Sequence, residues 1–366
     1  MKKILFLVFL AAFTVGCKSS RVGSTSNIEV RFLNDYNLPD DLEINGTLVG
    51  GLSGIDHHEG KYYLVSDQPS NPRIYVAELS ISEEKIDTIA ITDVILLEKQ
   101  NDALKDEHLD LEGILFDAEA GNFLLTSEGN IKKGKDPMVF TVSEDGKFSD
   151  SYAVPENLLA KSNKNPRNNG TFEGLAASHD GKGIWVAMEL PLETDGPKAK
   201  LYPTKSPVRI TYFDKKTGKA TKQFPYRLDR IAKIPWLYFA VNGVTDLLEY
   251  APDKFLILER GFASGHGQKG NTIRIFDVDA SLATNTLDIN NLRVSFNNPA
   301  SKKLLYDFNW AKDYLSEEII DNIEGITFGP VLPNGKQSLL LVSDNNFSSM
   351  GKQLNQVILL EFTPKN

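Results

Sequence analysis

The chain has 366 residues, 41% of them hydrophobic, and a formal net charge of −9. Nucleic acids and anionic membrane surfaces repel a negative chain, so the composition argues against nucleic acid as a partner. The length and hydrophobic content are sufficient for one large β domain or for two domains. Because Cys17 is the only cysteine, an internal disulfide is excluded.

The first residues have the features of a bacterial signal peptide. Lys2 and Lys3 precede an apolar run over 4–15, which is too short to span a membrane as a helix. The following Thr-Val-Gly-Cys at 14–17 resembles a lipoprotein cleavage site, with threonine in the place of the favoured leucine. We therefore predict a signal peptide over 1–16 and a lipid anchor at Cys17, which would place the protein on the outer membrane of the cell envelope. An ordinary secreted protein is the alternative.

The rest of the chain divides into a tether and a folded domain. Residues 17–27 are mostly small and polar, which predicts a flexible tether, and residues 28–366 are predicted to form the domain. Short apolar runs rich in Val, Ile, Leu, Phe and Tyr indicate β-strands. Turn signals at 58–60, 120–122, 179–181 and 333–335 join strands as hairpins. Third strands are predicted at 73–76, 138–142, 208–213, 273–276 and 357–360, and short helices at 155–160, 230–239 and 310–315.

A two-strand pattern with a polar residue at each end occurs five times. The first strands open at Ser53, Glu112, Glu173, Asp246 and Glu324, and the second strands end at Asp67, Glu128, Glu189, Glu259 and Asp344. The spacing of roughly 60 to 78 residues suits three or four antiparallel strands in each repeat. We therefore predict an all-β fold, a β-propeller with five recognisable repeats, or six blades if a long interval holds a divergent one. The strands near 28–33 and 359–362 are expected to close the ring.

The polar residues of the repeats are expected to meet at one face. In a propeller the innermost strand of a blade starts at one face and the second strand returns to it. The predicted inner ring at the mouth of the channel is Glu112, Glu173, Asp246 and Glu324, with a gap at Ser53. The predicted second ring is Asp67, Glu128, Glu189, Glu259 and Asp344. Because crowded carboxylates raise each other's pKa, they need cations or basic partners, and calcium suits such oxygen ligands. The alternative is that these residues cap turns.

The loops on this face add basic residues. Arg260 and several lysines would form a rim suited to an anionic ester or phosphate substrate; the lysines are Lys132, Lys133, Lys135, Lys198, Lys200, Lys205, Lys269 and Lys352. The loop over 190–207 is the longest and is the predicted lid. His266 is a candidate general acid or base. The chain has no Gly-x-Ser-x-Gly nucleophile motif, and its histidines lack zinc spacing.

The repeat sequences resemble a known family. Phe172-Glu173-Gly174-Leu175 and the segments 51–67, 185–189, 255–262, 271–275, 322–330 and 341–347 are similar to the phytase-like family, described by its esterase-like activity of phytase. The resemblance spans most of residues 45–365 and implies a secreted bacterial β-propeller that hydrolyses phosphate or other esters. It carries over no catalytic nucleophile to a residue of this chain.

Together these observations predict a monomeric, calcium-dependent hydrolase of phosphate or carboxylic esters. Glu173, Glu324, Arg260 and His266 are the predicted catalytic residues, and the two carboxylate rings are the predicted calcium ligands. In this hypothesis calcium polarises the ester oxygen and activates a water. Arg260, with Arg73, Arg209 or Arg274, would bind the anionic group. A non-catalytic binding module with a structural ion is the alternative.

Overall fold

The structure is a computed structural model that describes residues 27–98, 101–295, 297–348 and 352–364. The predicted signal peptide, Cys17 and nearly all of the predicted tether lie outside this part of the chain. Within it, no helix is long and apolar enough to cross a membrane. Secondary structure consists of strands and of 3-10 helices of a single turn.

The strands form five four-stranded sheets, each of which is a blade. Before the first blade come β1 (Ile28–Leu38) and a small hairpin of β2 (Glu43–Ile44) and β3 (Thr47–Leu48). Blade 1 contains β4 (Leu52–His58), β5 (Lys61–Ser66), β6 (Arg73–Ser82) and β7 (Lys85–Leu96). Blade 2 contains β8 (Leu111–Asp117), β9 (Asn122–Ser127), β10 (Met138–Ser143) and β11 (Phe148–Ser151).

The other three blades repeat the same order from the axis outward. Blade 3 contains β12 (Phe172–Ala177), β13 (Gly183–Met188), β14 (Pro207–Asp214) and β15 (Lys219–Arg227). Blade 4 contains β16 (Ala240–Ala251), β17 (Lys254–Ala263), β18 (Asn271–Asp279) and β19 (Ser301–Asp307). Blade 5 contains β20 (Ile323–Val331), β21 (Gln337–Ser343) and β22 (Asn355–Pro364), with β1 as its outermost strand.

The fold is therefore a five-bladed β-propeller, which confirms the predicted fold class and decides between five and six blades. The ring closes as expected, because β1 pairs antiparallel with β22 from Ile28 opposite Pro364 to Leu38 opposite Asn355. Apolar side chains between neighbouring blades form the core. Trp185 of blade 3, for example, packs edge-on against Phe255 of blade 4, with 5.2 Å between the ring centroids.

The predicted helices are only partly present. Single-turn 3-10 helices occur at Ile131–Lys133, Glu156–Leu158, Gly267–Lys269, Phe308–Trp310, Lys312–Tyr314 and Asn346–Ser348. Two predicted helices, over 155–160 and 310–315, correspond to such turns. The helix predicted over 230–239 is wrong, since this segment is irregular. Pro235 disfavours a helical conformation at Ile234, and side chains such as Trp236 remain 70% exposed instead of packing as a helix face.

Each inner strand has a β-bulge at the opening of the repeated pattern. The register shifts lie between Leu52 and Gly54, Leu111 and Ile114, Phe172 and Leu175, Val244 and Asp246, and Ile323 and Gly325. The glycine of the pattern is needed because the inner strands touch one another around the axis. A Cβ atom on Gly113 would lie 2.9 Å from the carbonyl oxygen of Glu173 in the next blade. The bulge therefore changes the direction of the side chain just before the glycine, and the glycine allows the inner strands of neighbouring blades to approach each other.

Candidate functional site

Eight carboxyl groups and one guanidinium group meet where the inner strands begin, which we call the mouth. This mouth cluster consists of Asp67, Asp110, Glu112, Glu128, Glu173, Glu189, Arg260, Glu324 and Asp344. Glu112, Glu173 and Glu324 are bulge residues of the inner strands β8, β12 and β20. The second-strand carboxylates directly follow β5, β9, β13 and β21. The structure thus brings together seven of the nine predicted metal ligands.

Asp110 belongs to the cluster although it is not among the predicted metal ligands. One oxygen of Asp110 lies within 4.8 Å of an oxygen of Glu112 and of Glu128. The sequence contained a signal for it, because side chains two residues apart in an extended chain point to the same side and Asp110 is two residues before Glu112. Asp110, which lies just before β8, was therefore a candidate for the same site as Glu112 near the start of that strand.

The closest carboxyl oxygens form two groups that share Glu128. Oxygens of Glu128, Glu173 and Glu189 lie within 4.8 Å of one another, as do those of Asp110, Glu112 and Glu128. The first group is buried, with exposed fractions of 3%, 4% and 2%. In the second group Asp110 and Glu112 are only partly buried. The cluster therefore has a deep part between blades 2 and 3 and a part nearer the solvent.

Burial and mutual repulsion raise the pKa values of these carboxyl groups. Burial is the larger cause, because it removes water from the charged form, and neighbouring carboxylates add to it. The pKa is raised to about 8 for Asp67 and Glu128, to about 6 for Asp110 and Asp344, and well above the usual range for Glu112, Glu173 and Glu324. The folded protein therefore favours the protonated form of these carboxyl groups, and they would need a cation to become fully ionised.

Arg260 is the main positive charge in the cluster. Its Nη2 atom lies 3.3 Å from Oε1 of Glu324 and 3.6 Å from Oε1 of Glu189. Lys198, one of the predicted basic residues, also interacts electrostatically with Glu189 and opposes the rise in its pKa that burial causes. Asn322 Nδ2 donates to Glu324 and to Asp344, at 3.0 Å each. These groups hold carboxylates of blades 3 and 5 in place.

The predictions for Asp246 and Glu259 of blade 4 need correction. The bulge of β16 falls on Thr245, and Gly243, two residues earlier, pairs with Arg260. Thr245 therefore occupies the place of Glu112, Glu173 and Glu324, and Arg260 occupies the place of Glu189. The prediction matched Asp246 and Glu259 with the carboxylates of the other repeats, which is wrong by one residue in each strand. A shift of one residue moves a side chain to the opposite side of a strand.

Asp246 and Glu259 instead make structural contacts. Asp246 stands where the other blades have glycine, and its carboxylate accepts hydrogen bonds from the backbone N–H groups of Leu175 and Ile326, in the blades on either side. Glu259 accepts from the Tyr226 hydroxyl at 2.7 Å and from Lys302 Nζ at 2.6 Å. Asp246 therefore joins three blades at the axis, and Glu259 belongs to a buried network on the other side of β17.

Ser53, the gap in the predicted inner ring, and His266, a predicted catalytic residue, both contact backbone carbonyl groups. Ser53 is 2% exposed, and its hydroxyl donates to the carbonyl oxygen of Leu111, which links blades 1 and 2. The ring of His266 lies 4.5 Å from that of Trp236, and its Nε2 atom is 2.8 Å from the carbonyl oxygen of Ile234. These contacts lie in an exposed loop of blade 4, so a catalytic role of His266 in the mouth cluster has no structural support.

The strand-three arginines and the predicted lid have protein partners. Arg73 donates to Tyr75 and Gln68, and Arg274 pairs with Asp229 and Asp307. Arg209 forms a bidentate ion pair with Asp195, and both side chains are fully buried. Because Asp195 lies in the loop over 190–207, this pair anchors the loop to blade 3. This buried pair argues against a loop that opens freely as a lid.

Comparisons with known proteins identify the family of the chain. A family model named Phytase-like, with the description "Esterase-like activity of phytase", matches residues 47–347. A search of curated proteins gives no match. The chain is similar to the crystal structure of the allergen Mala s 1 of Malassezia sympodialis, with 14% identity over 88% of this chain and 82% of that one and a TM-score of 0.42. It is also similar to an endo-1,4-beta-xylanase structure from Bacteroides thetaiotaomicron, with 10% identity over 80% and 84% of the two chains and a TM-score of 0.40. Since the family match spans most of the chain, the protein belongs to the phytase-like family.

Proposed function

We propose that the protein hydrolyses phosphate or other esters with the help of calcium bound at the mouth cluster. The observation that carries this proposal is the convergence of eight carboxyl groups with raised pKa values around a single arginine. The donor set fits calcium, which takes six to eight oxygen ligands in a flexible geometry, better than zinc, which favours nitrogen and sulfur. Glu128, Glu173 and Glu189 would hold the ion, and Asp110 and Glu112 extend the site toward solvent.

Each part of the cluster has a role in this proposal. When bound, calcium would polarise an ester oxygen and favour ionisation of a water molecule. Asp110 and Glu112 are the residues through which a substrate reaches the cluster, because they are partly exposed. Asp110, with a pKa of about 6, is suited to accept a proton near neutral pH. Arg260 would balance the negative charge of the substrate beside Glu324.

A non-catalytic binding module with a structural ion is the second candidate. The depth of the first carboxylate group favours it, because Glu128, Glu173 and Glu189 are at most 4% exposed. An ion enclosed there would stiffen the channel without being reached by a substrate. The two candidates therefore differ in whether the partly exposed Asp110 and Glu112 take part in a reaction.

Hydrolysis assays separate the two candidates. We expect the purified protein to hydrolyse p-nitrophenyl phosphate or p-nitrophenyl acetate in calcium, and Glu173→Gln to lose at least about tenfold in kcat/KM through weakened ion binding. Asp106→Asn is the matched control, because Asp106 is an exposed carboxylate four residues before Asp110. If neither ester is cleaved but a chelator lowers the melting temperature, the binding module is correct. If the chelator also leaves the melting temperature unchanged, there is no ion site.

We also propose that a lipid on Cys17 anchors the protein to the cell envelope with the mouth turned away from the membrane. The described chain supports this orientation, because β1 begins at Ile28 opposite Pro364, at the face remote from the mouth. Cys17→Ala is expected to move the protein from the membrane fraction to the soluble fraction after cell disruption, as measured by immunoblotting. Recovery of the variant in the membrane fraction at the wild-type level would contradict the anchor.

A further inference from the structure

Two polar atoms of blade 4 have no hydrogen-bond partner among the described residues. They are Oγ1 of Thr245 and Nε of Arg260, and both atoms are buried. Thr245 as a whole is 2% exposed. Buried polar atoms of native proteins nearly always have a partner, so two such atoms in one blade indicate a place where a ligand supplies one.

Both residues occupy ring positions at the mouth. Thr245 is the bulge residue of β16 and corresponds in position to Glu112, Glu173 and Glu324, whose side chains form the cluster. Arg260 reaches the cluster through its contacts with Glu189 and Glu324. Gly243 is the cross-strand partner of Arg260, and Thr245 is two residues further along the same strand. Thr245 and Arg260 thus hold the places of Glu173 and Glu189 in blade 3, whose carboxyl oxygens lie within 4.8 Å of each other, which puts the two residues on the same side of blade 4.

The chemistry of these atoms selects an anionic oxygen. The guanidinium Nε–H is a donor with no acceptor capacity, and the threonine hydroxyl can donate as well. Glu189 and Glu324 contact Nη2 of Arg260 and offset its charge, whereas its Nε–H has no acceptor among the described residues. The carboxylates of blades 2 and 3 attract a cation to the other side of the mouth. In blade 4 both ring positions carry a donor in the place of the carboxylates that blades 2, 3 and 5 supply. By contrast, the hydroxyl of Ser53 in blade 1 already donates to Leu111.

We propose that Thr245 and Arg260 form an oxyanion subsite on the blade 4 side of the mouth, which binds an oxygen of a phosphate or carboxylate group. This inference rests on the proposed function, because one anionic group of the substrate would contact both the calcium held by blades 2 and 3 and the two donors of blade 4. It adds Thr245 as a substrate-binding residue. It also makes the mouth asymmetric, with the cation at blades 2 and 3 and the anionic oxygen at blade 4.

Anion titration by calorimetry tests the subsite. Inorganic phosphate and acetate are titrated separately into ion-free and calcium-loaded protein, so that the two sources of the oxyanion are distinguished. We expect Thr245→Val and Arg260→Lys each to weaken binding of the preferred anion about tenfold, the effect of one lost charge-assisted hydrogen bond. Thr245→Ser keeps the hydroxyl and should restore binding. Ser53→Ala removes the equivalent hydroxyl of blade 1 and should leave anion affinity unchanged.

Separate calcium titrations distinguish failure of the subsite from failure of the proposed function. Thr245→Val should keep the calcium affinity of the wild type, and a loss there instead of in anion affinity would make Thr245 a cation ligand and overturn the subsite. Wild-type protein that binds calcium but neither anion also overturns it. Anion binding that needs Thr245 but no calcium supports the subsite and counts against the calcium proposal. Binding of neither calcium nor anion overturns both.

Discussion

Ion-free protein is expected to become less stable as the pH rises from about 5 to about 9. The cause is the raised pKa of the buried carboxyl groups, since Glu128 and Asp67 have values of about 8 in the folded state. A raised carboxyl pKa means that folding favours the protonated form. The stabilisation is therefore complete below the unfolded pKa near 4.5 and is lost as the pH rises through the folded pKa. For Glu128 alone the loss is of the order of 5 kcal/mol in the free energy of unfolding.

Urea unfolding at several pH values, with and without calcium, measures this effect. Calcium should remove most of the decline, because the ion replaces the protons as the partner of the carboxylates. Asp246 at the axis, whose pKa burial also raises to about 8, adds to the decline, and calcium at the mouth should leave that part in place. Groups with a lowered pKa act in a different range. Glu361, for example, has a pKa lowered to about 2, chiefly by its hydrogen bond with Arg31, and its contribution is lost only as the pH falls below about 4.5. Stability that rises with pH in the ion-free protein would contradict the charge state assigned to the mouth cluster.

The fold was predictable because each blade carries the same local pattern. A bulge residue followed by glycine repeats in four inner strands, and this pattern has a physical reason, as Gly54, Gly113, Gly174 and Gly325 lie where neighbouring strands meet. The number of blades followed from the same pattern once the long connection of blade 4 proved to contain no additional sheet among the described residues. The closing pair of β1 and β22 was predictable from the need to join the two ends of the ring.

Blade 4 was misaligned because sequence alone does not show where a bulge falls. Asp246 carries the charge expected at the ring position, and its repeat has no clear turn signal to fix the register. Asp246 was therefore matched with the carboxylates of the other repeats. The hydrogen-bond register shows that Asp246 replaces a glycine and fills space at the axis, while Thr245 takes the ring position. The same shift exchanged Arg260 for Glu259 in the second ring. Composition and spacing do not reveal a difference of one residue in register. Because of this difference, the expected rings of carboxylates contain the donors Thr245 and Arg260 in blade 4.

Glu128→Gln is expected to weaken calcium binding about 100-fold, the largest effect of any single substitution in the cluster. Glu128 belongs to both groups of closely spaced oxygens, whereas Glu189 belongs to one, so Glu189→Gln should cost less. Glutamine keeps the size of the side chain and an oxygen that can accept from the N–H of Thr171, which Glu128 Oε1 accepts at 2.9 Å. The substitution therefore removes the charge while preserving a structural contact. Isothermal titration with calcium provides the affinities, with Asp106→Asn as the control for loss of one exposed negative charge.

The same variant has an opposite effect on the ion-free protein, and this makes the test specific. At pH 8 to 9 a neutral side chain at position 128 removes repulsion with Glu189 and Asp110 and avoids burying a charge, so the ion-free variant should be more stable than the wild type. A variant that was merely damaged would lose both stability and affinity. Higher stability without calcium combined with weaker calcium binding would show that Glu128 is retained for the ion and not for the fold. If Glu128→Gln instead lowers stability without calcium and leaves calcium affinity unchanged, the carboxylate serves the propeller, and the mouth cluster is a structural feature of the fold.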